Sequence, residues 1–227
     1  MINGWFITGT DTGVGKTFIA ELVLEGLREA EYAAVGMKPI ATGCRRTPEG
    51  LRSEDAERLI AASSVHGRRY DEINPYAFEE PIAPHLAADL TGRRILIDVI
   101  YACCLNLANV GLVVVEGIGG WRVPIGGNDT VADLAANLEL PVVLVVGVRL
   151  GCLNHALLTA EAMADDGIRP IGWVANILAP DMVRESETIM ALECHLRMPR
   201  LATIPYRPSP SLRAELAQTL ALAFVTA

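Results

Sequence analysis

Lys16 and Thr17 close the stretch TGTDTGVGKT, Thr8 to Thr17, which directly follows the apolar run Trp5-Phe6-Ile7. A glycine-rich turn between a strand and a helix can aim successive backbone N–H groups at a polyphosphate, with the positive end of the helix dipole behind them. In such a loop the lysine reaches the β and γ phosphates and the threonine hydroxyl binds Mg²⁺. A turn of this kind can also form without a ligand, but Gly15-Lys16-Thr17 preceded by Gly9 and Gly13 favours phosphate. One feature is irregular. The usual pattern places four residues between its first glycine and the Gly-Lys-Ser/Thr triplet, whereas Gly9 and Gly15 enclose five.

Mg²⁺ takes octahedral oxygen coordination, with one or two carboxylates beside the nucleotide oxygens. Glu116 ends the apolar run LVVVE, where a carboxylate is costly unless it faces a cation or a hydrogen-bond network. Asp55 lies in RSEDAERL, where Ser53, Glu54 and Asp55 serve equally well as a helix N-cap with an acidic first turn. Both readings of Asp55 stay open on the residues alone. Lys38 follows AAVGM and precedes PIATG. A lysine at the end of a strand is often only a solvated edge. Thr42 and Gly43, however, open a polar turn on the same rim as Lys16, and two converging ammonium groups suit a centre more anionic than ATP alone.

The elements that must position these groups alternate between short β-branched runs and longer helix-period segments. Strands are expected at 3–8, 34–38, 111–116, 141–147, 170–176 and 200–204, and helices at 16–30, 54–63, 93–109, 131–138, 153–166 and 183–195. That order predicts an α/β fold, a parallel sheet covered by helices on both faces. GLVVVEG and PVVLVVGV are apolar at consecutive positions, as in strands buried on both faces, and belong near the centre. Ligands of open parallel sheets bind beyond the carboxyl ends of the strands, so residues 9–17, 38–43, 116–124, 147–154 and 176–180 should share one rim. Residues 64–92, broken by Pro75, Pro81 and Pro84, read as an irregular stretch whose length points to function. LAQTLALAFVTA reads as either a packed helix or a frayed tail.

With 227 residues, 51% of them hydrophobic and 20% charged, the chain suits a single globular domain spanning 1–227, and no internal repeat or flexible linker divides it. Its apolar runs are too short to cross a bilayer, and no export signal precedes the first strand, so a cytoplasmic location is expected. The net charge of −8 would repel a nucleic acid and favours a small ligand. Five cysteines, Cys44, Cys103, Cys104, Cys152 and Cys194, contain no Cys-x-x-Cys pair, which argues for reduced, mostly buried thiols rather than disulfides or zinc.

Together these pieces resemble the dethiobiotin synthetases. The resemblance runs through nearly the whole chain, in GTDTGVGKT at 9–17, KPIATG at 38–43, SEDA at 53–56, NPYAFEEPIAPHLAA at 74–88, VVVEGIGGWRVPI at 113–125, PVVLVVGVRLGCLNHALLT at 141–159 and GWVAN at 172–176. The family's own glycine loop has five residues before Gly-Lys-Thr, which accounts for the long loop here. The resemblance implies a P-loop NTPase-like fold and an ATP-dependent ligase of biotin synthesis. Its substrate is 7,8-diaminopelargonic acid: one amine captures CO₂ as a carbamate, the γ-phosphoryl group of ATP passes to the carbamate oxygen, and the second amine closes a cyclic urea. Dethiobiotin, ADP and phosphate leave.

Carried over residue by residue, the resemblance gives Lys16, Lys38 and Thr12 catalytic roles. It gives Gly13, Val14, Gly15, Lys16, Thr17, Phe18, Asn176, Pro205 and Tyr206 to the nucleotide, Asn176 reading adenine and Pro205 and Tyr206 walling its pocket. Thr17, Asp55 and Glu116 fall to Mg²⁺. Lys38 and Thr42 face the carbamate or diamine, and the free N–H groups of Gly151, Cys152, Leu153 and Asn154 hold the substrate carboxylate from the neighbouring subunit of a homodimer. Cys152 is then a packing residue, and His85 and His155 are structural hydrogen-bonders. Two positions depart from the family: Ile118 replaces an alanine beside the metal carboxylate, and Arg149 binds substrate or phosphate or pairs with an acid. Rival readings fit less well. A related cobalamin amide ligase would carry a further glutaminase domain, a partitioning-type switch ATPase would have a lysine within 10–12, and a module that had lost catalysis would not keep Lys16, Thr17, Lys38, Asp55 and Glu116.

Overall fold

The computed structural model describes residues 2–226. Its main sheet contains six strands, β1 (Gly4–Gly9), β2 (Ala34–Met37), β3 (Leu112–Glu116), β4 (Val142–Val148), β5 (Gly172–Ile177) and β6 (Arg200–Ile204), in the order β6-β5-β4-β1-β3-β2. All pairings in it are parallel. The helices are α1 (Lys16–Glu29), α2 (Glu54–Ala62), α3 (Tyr70–Ile73), α4 (Pro84–Thr91), α5 (Ile97–Ala108), α6 (Val131–Leu138), α7 (Cys152–Asp165), α8 (Glu185–Leu196) and α9 (Pro210–Thr226). Small two-stranded pieces, including the hairpin of Arg45–Thr47 with Gly50–Arg52, decorate the loops. Among the described residues no helix is long and apolar enough to cross a membrane.

Consecutive apolar residues divide between the faces because successive side chains of a strand point oppositely. In β1, Trp5 and Ile7 join the core beneath α1 and α9, while Phe6 joins the one beneath α5 and α6. In β4, Val143 and Val145 face α1, whereas Leu144 and Val146 pack with Trp173 and Leu192 on the side of α7 and α8. Helix α1 is buried on most of its circumference, wedged between sheet, α2 and α9. Gly26 allows the close approach of α9: a Cβ there would stand 2.0 Å from the carbonyl oxygen of Ala217.

The expected strands and most helices are present within a residue or two, and β3 and β4 flank the central β1. Two expectations need correction. The stretch 64–92 is not irregular throughout: it holds α3, a short strand at Tyr76–Ala77, and α4, which begins with Pro84 in its first turn. Proline fits there because its fixed φ suits a helix start and its missing N–H is not needed. The helix expected from 93 begins only at Ile97, because Gly92 ends α4 in the left-handed region and the Arg93 guanidinium lies 4.9 Å over the Tyr76 ring. The LAQTLALAFVT segment is a packed helix, with Leu220 and Phe224 buried; Ala227 lies outside the described residues.

Candidate active site

Strand register brings the reactive groups together. Glu116 pairs with Ile7 and Met37 pairs with Val115, so Lys38, one residue past its strand, emerges beside Glu116 and close to the glycine loop. The loop needs its glycines. Gly13 and Gly15 have φ of 75° and 93°, where L side chains are strained, and a Cβ on Gly15 would lie 2.1 Å from Asn176 Nδ2. Gly15 is the N-cap of α1 without a side-chain cap, and the first intrahelical bond runs from Ile19 N to Gly15 O. The amides of Lys16, Thr17 and Phe18 therefore have no acceptor within the helix and are available to an anion.

Around this loop lies a cleft of about 640 Å³. Thr12, Lys16, Thr17, Lys38, Thr42 and Asp55 line it, together with Glu116 and Ile118. Lys38 donates to Glu116 Oε1 at 2.6 Å and to Gly117 O at 3.3 Å, and stands 3.0 Å from Asp55 Oδ2. Burial opposes its charge, but Glu116 and Asp55 outweigh that and hold its pKa above the ordinary lysine value. Burial and the neighbouring Asp55 push Glu116 up, against the pull of Lys38. Asp55 is held below its usual value despite partial burial, chiefly by Lys38. Lys16 donates to Asp11 O at 2.9 Å and Gly119 O at 2.7 Å; burial, then the charge of Lys38, lowers its pKa to about 8.

The donor set fits a magnesium ion. Thr17 Oγ1 lies 2.9 Å from Asp55 Oδ1 and 2.8 Å from Glu116 Oε1, but its single proton satisfies only one of them. Glu116 Oε2 is buried with no hydrogen-bond partner. Two carboxylates and a hydroxyl, all hard oxygen donors, leave unspent acceptor capacity that a small divalent cation would use alongside phosphate oxygens. Asp55 also keeps its place in a capped first turn, since Ser53 Oγ accepts from Ala56 N at 3.4 Å. The helix-cap reading of the SEDA segment holds, and Asp55 stands at the cleft beside Thr17 and Lys38.

A second pocket of about 400 Å³ adjoins the first and is lined by Phe18, Asn176, Pro205 and Tyr206, with Arg207 and Arg213. Phe18 borders both. Asn176 Nδ2 donates to Val14 O at 2.8 Å, fixing the amide so that its oxygen is the free end. Gly151, Cys152, Leu153 and Asn154 line neither pocket; Cys152 is buried and packs with Val148 and Ala156, while Gly151 and Asn154 are exposed. Ile118 borders the cleft and packs partly on the core. Arg149 pairs with Asp11 of the glycine loop at 2.6 Å. The expectation that His85 is a hydrogen-bonder is not met at Nδ1, which is buried without a partner. Cys44, Cys104 and Cys152 are buried free thiols, but Cys103 is half-buried and Cys194 exposed.

A family model described as an AAA domain matches residues 3–212. The ATP-dependent dethiobiotin synthetase BioD of Xanthomonas oryzae pv. oryzae (strain PXO99A) is 49% identical over 212 residues, 93% of this chain and 94% of that protein. The chain belongs to the ATP-dependent dethiobiotin synthetase family. Another dethiobiotin synthetase, from Cellvibrio japonicus (strain Ueda107), is 46% identical over 202 residues, 88% of each chain. Among solved structures, the fold of this dethiobiotin synthetase family member is similar to that of the cell division ATPase MinD of Pyrococcus furiosus, with a TM-score of 0.61 at 15% identity over 99% of both chains. MinD of Pyrococcus horikoshii OT3, complexed with Mg-ADP, gives 0.56 at 15% identity, covering 99% of this chain and 93% of that one. These likenesses show a P-loop NTPase-like fold.

Sequence reasoning missed Arg58, which borders the cleft and makes two hydrogen bonds to Glu21, of 2.7 and 2.6 Å. Its position three residues after Asp55 places it on the same helix face, a usable signal. Arg213 carried none, because its partner Glu25 is 188 positions away.

Proposed function

We propose that this protein carries out ATP-dependent synthesis of dethiobiotin from 7,8-diaminopelargonic acid and CO₂, in biotin biosynthesis. The observation that carries the reading is the convergence of Lys16, Lys38, Thr17, Asp55 and Glu116 in one cleft, in a chain 49% identical to a dethiobiotin synthetase. Mg²⁺ would be held by Thr17, Asp55 and Glu116, where it supplies charge neutralisation for a transferring phosphoryl group. The free amides of the loop and the Lys16 ammonium bind and orient the triphosphate; Asn176, Phe18, Pro205 and Tyr206 hold the nucleoside.

Lys38, beside the two carboxylates that would hold the metal, would keep its charge and face the carbamate, an anion that must act as a nucleophile beside a polyanion. Thr12 and Thr42, on the cleft wall, position the diamine or carbamate through their hydroxyls. Positioning and charge stabilisation of this kind account for most of what a phosphoryl-transfer site does. The substrate carboxylate is taken by the N-terminus of α7 in a second copy of the chain. Support comes from the exposure of Gly151 and Asn154 and of the large apolar side chains near them, Leu150 at 98% and Leu158 at 55%.

The test follows phosphate release by the purified protein with Mg²⁺ and ATP, with and without diaminopelargonic acid and bicarbonate, while dethiobiotin is measured by mass. Phosphate that requires both substrates and matches product one for one is expected. Steady hydrolysis indifferent to the diamine would refute the synthetase reading.

A further inference from the structure

Arg213 lies in α9, outside every motif the sequence offered, yet it borders the second pocket. Its guanidinium stands 4.9 Å from the centroid of the Phe18 ring, within the range of a cation–π contact. Its Nε and Nη2 donate to the two carboxylate oxygens of Glu25 at 2.9 and 2.7 Å, and Nη2 is also 3.6 Å from Glu21. The guanidinium is therefore held by two bonds to an acid of α1 while it lies over a ring of the same helix. Phe18 is the residue shared by the phosphate cleft and the second pocket, and one turn of α1 separates it from Glu21.

We propose that Arg213 is a positioning residue for the nucleoside end of ATP: it fixes the Phe18 ring as the wall between the triphosphate and the base. The inference rests on reading the pocket of Phe18, Asn176 and Tyr206 as the nucleoside pocket. An unclamped phenylalanine at a helix start, partly exposed between two cavities, has other rotamers open to it. The stacked, doubly bonded arginine removes that freedom before the ligand arrives, which is how preorganisation raises affinity. Lysine cannot replace it, since an ammonium has neither the flat face nor the fork that grips Glu25.

Binding of Mg-ATP and of magnesium tripolyphosphate, which has no nucleoside, is measured by calorimetry on Arg213→Ala, Arg213→Lys and Phe18→Leu. Arg213→Ala is expected to weaken ATP about three- to tenfold, the scale of a partly desolvated cation–π contact, and to leave tripolyphosphate unchanged. Arg213→Lys should behave like the alanine variant, and Phe18→Leu should lower ATP affinity without adding to Arg213→Ala in the double variant. Glu21 keeps both bonds from Arg58 when Arg213 is removed, so α1 stays anchored.

A merely structural role would weaken both ligands alike, and that result, or no loss for either, overturns the proposal while Tyr206→Ala still weakens ATP. If Tyr206→Ala and Asn176→Ala also spare ATP, the nucleoside pocket lies elsewhere, and the proposal falls with that assignment.

Discussion

Replacing Lys38 by methionine tests the electrostatics of the site without its chemistry. The ammonium is 2.6 Å from Glu116 Oε1 and 3.0 Å from Asp55 Oδ2, with Lys38 and Glu116 exposed by only 4% and 1%. Methionine keeps the length and leaves the two adjacent carboxylates without their nearest cation, Lys16 and Arg58 being farther off. Removing one partner of a buried pair costs about 3–5 kcal/mol, so for a domain of this size the melting temperature should fall by on the order of 10 °C at pH 8. The sign with pH follows from Glu116. Burial and Asp55 already raise its pKa, and losing Lys38 raises it further. A carboxyl whose folded pKa exceeds the unfolded one is destabilising once pH rises through the folded value and costs nothing below the unfolded one. The deficit of Lys38→Met should therefore be small near pH 4 to 5 and large at pH 8, and MgCl₂ without nucleotide should restore the variant more than it raises the wild type. Thermal denaturation at the two pH values, with and without the salt, decides it. Equal stability of variant and wild type at pH 8, or a deficit indifferent to pH and magnesium, would refute the account of Lys38 as the resident counter-ion.

Lys16, with its pKa lowered to about 8, should take up a proton when a triphosphate arrives: calorimetry at pH 8.5 in buffers of different ionisation enthalpy should show uptake that is missing at pH 6.5, and no buffer dependence would contradict the lowering. Gly26→Val should destabilise by about 2 kcal/mol or more, read as a lower melting temperature, because its Cβ would meet the Ala217 carbonyl; an unchanged value would mean that α9 is not seated there. Leu150→Glu should shift the light-scattering mass from two chains toward one and raise the KM for the diamine, and a fully active monomeric wild type would sink the shared site.

Legibility in the sequence followed how local the determining physics was. Glu116 and Lys38 could be read because each ends a buried strand, and strand ends in parallel sheets converge on one rim. The glycine loop could be read because few residues tolerate the φ of Gly13 and Gly15. Helix α4 was hidden because Pro75, Pro81 and Pro84 looked like breaks, although Pro84 is the first residue of the helix. The pairings of Arg149 with Asp11 and Arg213 with Glu25 span 138 and 188 positions, and only the folded sheet brings them together.

That long span bears on how the molecule is made. Helix α1, which begins at the nucleotide loop, finds its cover in α9, nearly two hundred residues later. Until that length of chain has emerged from the ribosome, the face of α1 turned to α9 stays uncovered, and loops this long close slowly. The nucleotide loop is thus made long before the helix that braces α1. A growing chain presents an unfinished site to the cell's ATP, and competence for binding should appear late and abruptly during synthesis.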